Sequence, residues 1–580
     1  MGLHLLVRCG NGGVGGLRYV ISPLKYLLWA VGNLLRRMRR PPDYVVFILE
    51  GAYPELRAAK AGFFRRRFFP DSLSLQELGE RFQALQQDPR VPGVVLHLRG
   101  LKLSPAQAQT IRGFIAQLRS SGKRVVAWAS SYDNTRYYIA SAADEVLLQT
   151  GGDASPLGVR GNFVFLADAL DRAGLKADFI QISPYKSAAD PLMRPSMSDE
   201  MREMATWLID SNYNDYVQAV ALGRNLDEAG AKALVDGAPY TDLQALDSGV
   251  VDRLISEEDL SAYLGAAGKP ARITTWEAVR KGLLRPAPTA GGRYVALIRV
   301  EGDIIDGRSQ RPPFKSPLPL PLVFNPRAGD LTVVQQARIA LADRRAAAVV
   351  LYVNSGGGSA TASEAMAAAL QKLAAKKPLI AAMGSVAASG GYYVSTPAQW
   401  ITAQPGTITG SIGVLSGKII AAGLMDKLLF HREAINRGRH ADFNEAERPF
   451  NDEERNIVRE NIERVYDVFL DRVTGARNMT RQDVDSISGG RVWTGSQALD
   501  HGLVDEVGGL EAAVAKARQL GGLPPRAPVR ELREPKTQTP PPLADPVSII
   551  RYSIEGVDML GHGKALCLCG LVDLEAHQDA

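Results

Sequence analysis

The sequence predicts an α/β protein made by tandem duplication of one domain, and two observations carry that expectation. The first is an internal register. Val94-Val95-Leu96 recurs as Val349-Val350-Leu351, and Tyr137-Tyr138 recurs as Tyr392-Tyr393, both 255 residues further on. Gln149/Gln404, Gly151/Gly406, Gly158/Gly413, Val159/Val414 and Asp171/Asp426 hold the same offset with no gap. Arg224-Asn225 then matches Arg477-Asn478 at 253, as QALD at 244–247 matches 497–500, and upstream Glu50-Gly51 matches Glu301-Gly302 at 251. Coincidence does not hold one register through so many positions, so the body is a repeat of about 250 residues. The second observation is alternation. Runs at 295–300, 348–353, 379–383 and 400–403 are interleaved with helical stretches such as 362–376, which predicts stacked βαβ units and largely parallel sheets.

The chain divides accordingly. Residues 1–43 form an N-terminal membrane-associated segment, 44–285 the first repeat, 286–525 the second, and 526–580 a Pro-rich linker and tail. Pro and Gly collect at 283–292 (LLRPAPTAGG), between the repeats. At 580 residues the chain is too long for one core, and 46% hydrophobic with 22% charged residues excludes disordered, collagen-like and polytopic membrane classes. The three cysteines (Cys9, Cys567, Cys569) lie near the ends, so no disulfide framework and no all-cysteine zinc site is expected. Seven dispersed histidines with no HExxH argue against metal chemistry, and no cofactor is expected.

Charge is unevenly placed. Residues 1–70 hold twelve basic and three acidic side chains, a net +9, which leaves −3 for the rest. Anionic lipid is the expected partner of such an end; nucleic acid is not, because no nucleic-acid motif accompanies the charge. Residues 19–35 are apolar apart from Lys25, Ser22 and Asn33, and four arginines (36, 37, 39, 40) follow. Seventeen residues is the short limit for a spanning helix. Leu24, Leu27, Leu28, Val31, Leu34, Leu35 and Met38 also follow a helical stripe, which suits a helix lying in the interface with Tyr26 and Trp29 at headgroup depth. An amphipathic helix docked on the body is the third reading. A cleaved signal peptide fits poorly, because the charges follow the apolar run. The segment FFRRRFF at 63–69 reads as a second membrane patch or as buried aromatic pairs flanking a turn.

The repeats differ where chemistry is expected. After strand 348–353 the second copy reads Asn354-Ser355-Gly356-Gly357-Gly358-Ser359, a glycine turn suited to an oxyanion hole or a phosphate cradle, or simply a tight strand–helix connection. Next comes MGSVAASGGYY at 383–393, where Ser389 stands among small residues ahead of a helix. In the first copy Asn134 takes the place of Ser389, Thr135 and Arg136 replace Gly390 and Gly391, and Arg99-Gly100-Leu101-Lys102 replaces the glycine turn. The exchange is reciprocal: Lys186 of the first copy falls opposite Ala441. A serine kept by one half and a lysine kept by the other suit a Ser–Lys dyad divided between the repeats, whereas on spacing alone Lys186 reads as a solvated surface lysine.

These residues resemble the signal peptide peptidase A (protease IV) family in its long, two-repeat form, over about 44–522. The specific elements are 383–393, TITGSIGV at 407–414, YKSAAD at 185–190 and VWTGSQALDHG at 492–502. The resemblance implies a crotonase/Clp-protease-like fold, Ser389 as nucleophile, Lys186 as general base and Ser411 as the serine that orients the lysine. It implies oxyanion donors at Gly357 and Gly390, although this chain has Ser355-Gly356-Gly357-Gly358 where the family usually has Ser-Pro-Gly-Gly. A free lysine titrates near ~10.4, so such a base must be lowered by roughly two units or more to act near neutrality. The implied substrates are cleaved signal peptides and other apolar peptides, the implied assembly a homotetramer, and the implied site the inner membrane. The positive-inside rule places the body in the cytoplasm, whereas several family members face the periplasm. The competing readings are an inert membrane scaffold of the same fold, a crotonase-type acyl-CoA enzyme, and a serine triad using His431 or His440.

Overall fold

A computed structural model describes residues 23–57, 73–266, 268–288, 292–310 and 326–533, and the backbone of 566–568. The patch at 63–69 lies outside the described residues. In the first half a parallel sheet forms from β1 (Tyr44–Ala52), β2 (Gly93–Lys102), β3 (Arg124–Tyr132) and β4 (Glu145–Ala154). A strand β5 (Lys176–Gln181) leaves this sheet, and β6 (Tyr240–Thr241), β7 (Arg253–Leu254) and β8 (Ile273–Thr275) complete it in the order β6-β4-β3-β2-β1-β8, with β7 beside β4.

The second half repeats the plan with β9 (Tyr294–Glu301), β10 (Asp303–Ile305), β11 (Arg327–Gly329), β12 (Ala346–Ser355), β13 (Gly357–Ser359), β14 (Leu379–Ala388), β15 (Trp400–Ala403), β16 (Ile408–Gly410), β17 (Leu415–Ile420), β18 (Val492–Thr494), β19 (Glu506–Val507) and β20 (Val529–Glu531). Its order is β18-β16-β14-β12-β9-β20, with β15 and β19 alongside. The edge strands β8 and β20 occupy equivalent places, each parallel to the first strand of its half. The second sheet therefore runs past residue 525. The long helices Asp199–Arg224 and Asp452–Arg477 are both 26 residues and stand 253 apart, the offset of the sequence repeat. The chain is thus an α/β protein duplicated in tandem.

Both faces of each sheet are covered, which is why its strands read as near-continuous apolar runs. In the second half Val349, Leu351 and Val353 of β12 point to one core with Met366 and Leu370, while Val350 and Tyr352 point to another with Ala513 and Ala517. The halves are joined by more than packing. β5 of the first pairs antiparallel with β17 of the second over six residues, from Gln181–Leu415 to Lys176–Ile420. The long helix of the first half also reaches across, with the Trp207 indole donating to the Val492 carbonyl at 2.8 Å and Ser211 meeting Thr494 at 2.7 Å.

A third sheet lies between the halves in the order β11-β10-β13-β21-β17-β5, where β21 is Leu566–Leu568 of the tail. It collects β13, β17 and β5, the strands that carry Gly357 or lie next to Ser411 and Lys186.

Candidate active site

Strand β14 ends in small residues and is followed at once by the short helix Gly390–Ser395. Ser389 makes the turn between them with φ 53° and ψ −114°, a backbone conformation that a side chain adopts only under strain. Its N–H donates to the Gly410 carbonyl at 2.8 Å, which ties the strained turn to β16. Gly390 and Gly391 are the residues that let the helix start here. A Cβ on Gly390 would lie 2.7 Å from Ser363 Oγ and 3.1 Å from Gly357 Cα, and one on Gly391 would lie 2.4 Å from the Ser355 carbonyl oxygen.

Lys186 arrives from the other half. Its segment leaves β5, turns through a hydrogen bond from the Lys186 N–H to the Ser183 carbonyl at 3.0 Å, and enters the 3-10 turn Ser187–Ala189. The side chain is 1% exposed, not a solvated surface lysine. Its Nζ lies 2.7 Å from Ser389 Oγ, 2.8 Å from the Ser411 carbonyl oxygen and 3.0 Å from Ser411 Oγ. Ser389 and Ser411 are themselves 0% and 1% exposed. The structure therefore brings together within one chain the three side chains singled out from the sequence.

Ser411 also sits at positive φ, 50°, with its N–H on the Arg491 carbonyl at 2.7 Å. Beside it runs a segment that the sequence reasoning passed over, Gly489-Gly490-Arg491. Gly490 has φ 95°, donates to the Ile412 carbonyl at 2.8 Å, and faces Lys186 so closely that a Cβ would lie 2.5 Å from the lysine Cα. The consecutive glycines were the available signal. Arg491 lies over the Tyr185 ring at 3.9 Å, and Tyr185 stacks on Trp207, which stacks on Trp493 at 4.8 Å. This column sandwiches two rings of the first half between Arg491 and Trp493 of the second, and fixes the lysine segment against β18.

The glycine turn separates β12 from β13. Gly357 and Gly358 have φ of 110° and 150°, accessible without strain only to glycine, and a Cβ on Gly358 would lie 2.1 Å from the Ile304 carbonyl oxygen. The Gly357 N–H donates to Ser355 Oγ at 3.1 Å, while that of Gly390 is one of the helix-start donors left over by helix geometry. In the first half β2 runs on through Lys102 in place of this turn.

Neither His431 nor His440 is among the hydrogen-bond partners of Ser389. His440 meets Glu453 at 4.0 Å and packs edge-on against Phe443. A second fully buried lysine, Lys418, donates to the Phe443 carbonyl at 2.9 Å, and burial pushes its ammonium form down. Among the described residues no group of acidic, histidine and cysteine side chains is placed to hold a metal ion.

Comparison with known proteins agrees with this picture. The model of peptidase family S49 matches twice, at residues 117–268 and 371–523. The chain is 31% identical to the chloroplastic serine protease SPPA of Arabidopsis thaliana, over 84% of this chain and 72% of that one. It is 33% identical to Protease 4 of Haemophilus influenzae, over 78% and 74%, and 32% identical to Protease 4 of Salmonella typhi, over 78% and 72%. With the family domain present once in each half of a duplicated Clp-protease-like α/β fold, the chain belongs to peptidase family S49 and is a serine peptidase.

Proposed function

We propose that this serine peptidase is a membrane-associated endopeptidase with a Ser389–Lys186 dyad, and that it degrades cleaved signal peptides and similar apolar peptides. The observation that carries the dyad is the 2.7 Å approach of Lys186 Nζ to Ser389 Oγ across the interface between the halves. As Ser389 Oγ attacks the substrate carbonyl carbon, neutral Lys186 takes its proton and passes it to the leaving amine. The same amine then activates the water that cleaves the acyl-enzyme. Burial disfavours the ammonium form and so favours the base. Ser411, holding Nζ through its hydroxyl and carbonyl, orients the lysine. The N–H groups of Gly390 and Gly357 face the developing oxyanion, the latter exchanging Ser355 Oγ for substrate.

The helix Pro23–Arg37 supports membrane attachment. Leu27, Leu28, Leu34, Leu35 and Met38 are all more than half exposed, and arginines follow the helix. Trp29 and Asn33 donate to the Arg285 carbonyl, which docks one face of the helix on the body. Among the described residues no helix is long and apolar enough to cross a membrane, and an interfacial helix fits these residues. The exposed Leu428, Leu429, Phe430 and Ile435 support self-association, for which we propose the homotetramer.

Kinetics with casein or a short apolar peptide test the dyad. Ser389→Ala and Lys186→Ala should each remove nearly all hydrolysis with the fold retained, and the double variant should be little worse than either. Lys186→Ala keeping more than about a tenth of the rate would point to another base, because general-base catalysis alone contributes ~10²–10⁴-fold.

A further inference from the structure

The third sheet contains a strand from far outside the repeats. β21 fills the slot between β13 and β17, antiparallel to both, and links them in the sheet order. Leu566 pairs with Ser359 on one side and Leu415 on the other, Cys567 with Gly358, and Leu568 with Gly357. This slot runs past the nucleophile: Gly390 packs on Gly357, and Ser389 Oγ is 3.5 Å from the carbonyl oxygen of Gly413, two residues before Leu415. We propose that the C-terminal segment at 566–568 is an intramolecular occupant of the substrate channel, competing there with extended peptides whose backbone takes the same antiparallel path. The inference rests on the peptidase reading and adds to it the path of the substrate and a built-in competitor.

Three observations converge on this assignment. The slot offers main-chain groups on both walls, the arrangement by which an extended peptide is recognised through strand addition. The segment's sequence, ALCLC at 565–569, is uncharged and apolar, the chemistry proposed for substrates. Ser389, which must meet a substrate carbonyl, is 0% exposed in a structure whose slot is filled. The strand runs from the Ser359 end toward Gly357, and twelve residues, 569–580, follow it, so the segment enters as an internal stretch of chain and not as a cleaved end. Thirty-two residues separate 533 from 566, which at roughly 3.3 Å per residue allows a span of up to ~100 Å. A tether of this kind gives an effective concentration on the order of 1 mM, so even a weak competitor with Kd of about 100 µM would reduce apparent substrate affinity ~10-fold.

The test uses the full chain. Successive residues of a strand aim their N–H groups at opposite neighbours, so Leu566→Pro with Cys567→Pro removes one donor toward each wall. This variant should show KM for a short apolar peptide lowered ~10-fold with kcat unchanged, and a full chain carrying Leu566→Asp and Leu568→Asp should behave alike. A synthetic peptide of residues 563–572 should inhibit the proline variant competitively. In a chain that also carries Ser389→Ala, the labelled peptide should bind as read by fluorescence anisotropy, a measurement that needs no catalysis. Equal KM in parent and both variants, with no binding of the peptide, would overturn the inference while leaving the peptidase reading intact. Absence of hydrolysis in every chain would sink the peptidase reading instead, and the anisotropy would still decide whether the channel takes this segment.

Discussion

Ser389 carries a cost that its proposed role as nucleophile explains. Its φ of 53° with ψ of −114° is worth on the order of 1–3 kcal/mol of strain for any residue with a Cβ. Ser389→Gly should therefore be more stable than Ser389→Ala by about 1 kcal/mol in urea unfolding, though both should be inactive. Equal stabilities would mean the turn is not strained. Gly490 offers a second test, since a methyl group there would press on the backbone of Lys186. Gly490→Ala should lower kcat at least ~10-fold with KM little changed, because displacing Nζ by about 1 Å breaks the alignment with Ser389. Ser389 was legible because the other repeat has lost it, and Lys186 for the reciprocal reason. The strain and the role of Gly490 were not, since a sequence records neither φ nor which chain segment passes behind a lysine.

Elements of four residues or more could be read, and strands of two or three could not. Trp400–Ala403 emerges with the bounds its β-branched pattern suggests, and Leu379–Ala388 and Ala360–Ala374 agree to within a few residues or extend the expected runs. Strands such as Tyr240–Thr241 and Gly357–Ser359 are too short to show alternation, and their pairing is imposed by the sheets they join. Among the helices, Asp452–Arg477 has an N-terminus clamped by charge. Glu454 closes a capping box with Asn451 and takes a bidentate ion pair from Arg448 at 2.7 Å. Hydrogen bonds from Arg448 hold the Glu454 carboxyl down to about 2. A depressed carboxylate contributes stability above its unfolded value, and that contribution is lost as pH falls toward the folded one. Arg448→Ala should cost about 1–2 kcal/mol at pH 7, an amount discounted because Arg448 is more than a third exposed. The difference from the parent should stay constant above about pH 5 and shrink between about pH 4 and 2. A difference that persisted at pH 2 would assign the loss to packing.

At the scale of the molecule, the proposed site is divided between the two copies. The first half retains its sheet and long helix and supplies the lysine, while the second supplies the strained serine and the glycine turn. The interface that unites them is the β5–β17 ribbon and the aromatic column through Trp207, features the repeat register could not reveal because they pair unlike parts of the two copies. Since both residues meet within one chain, mixing Ser389→Ala with Lys186→Ala protein should restore no activity, even after subunits are allowed to exchange. Restored activity would place the lysine of one chain in the site of another. A 286–533 fragment, which keeps β20, should likewise be inactive, and a separate 44–285 chain should rescue it.

The central claim is that Lys186 activates Ser389, and covalent labelling reads that activation without any assumption about substrate. A fluorophosphonate probe should label the parent chain at Ser389, located by peptide mapping, with a rate that rises with pH as the amine loses its proton. Lys186→Ala should label at least ~10²-fold more slowly, and Ser411→Ala should fall between the two. Labelling of Ser389 at the parent rate in Lys186→Ala, or labelling at another serine, would contradict the account.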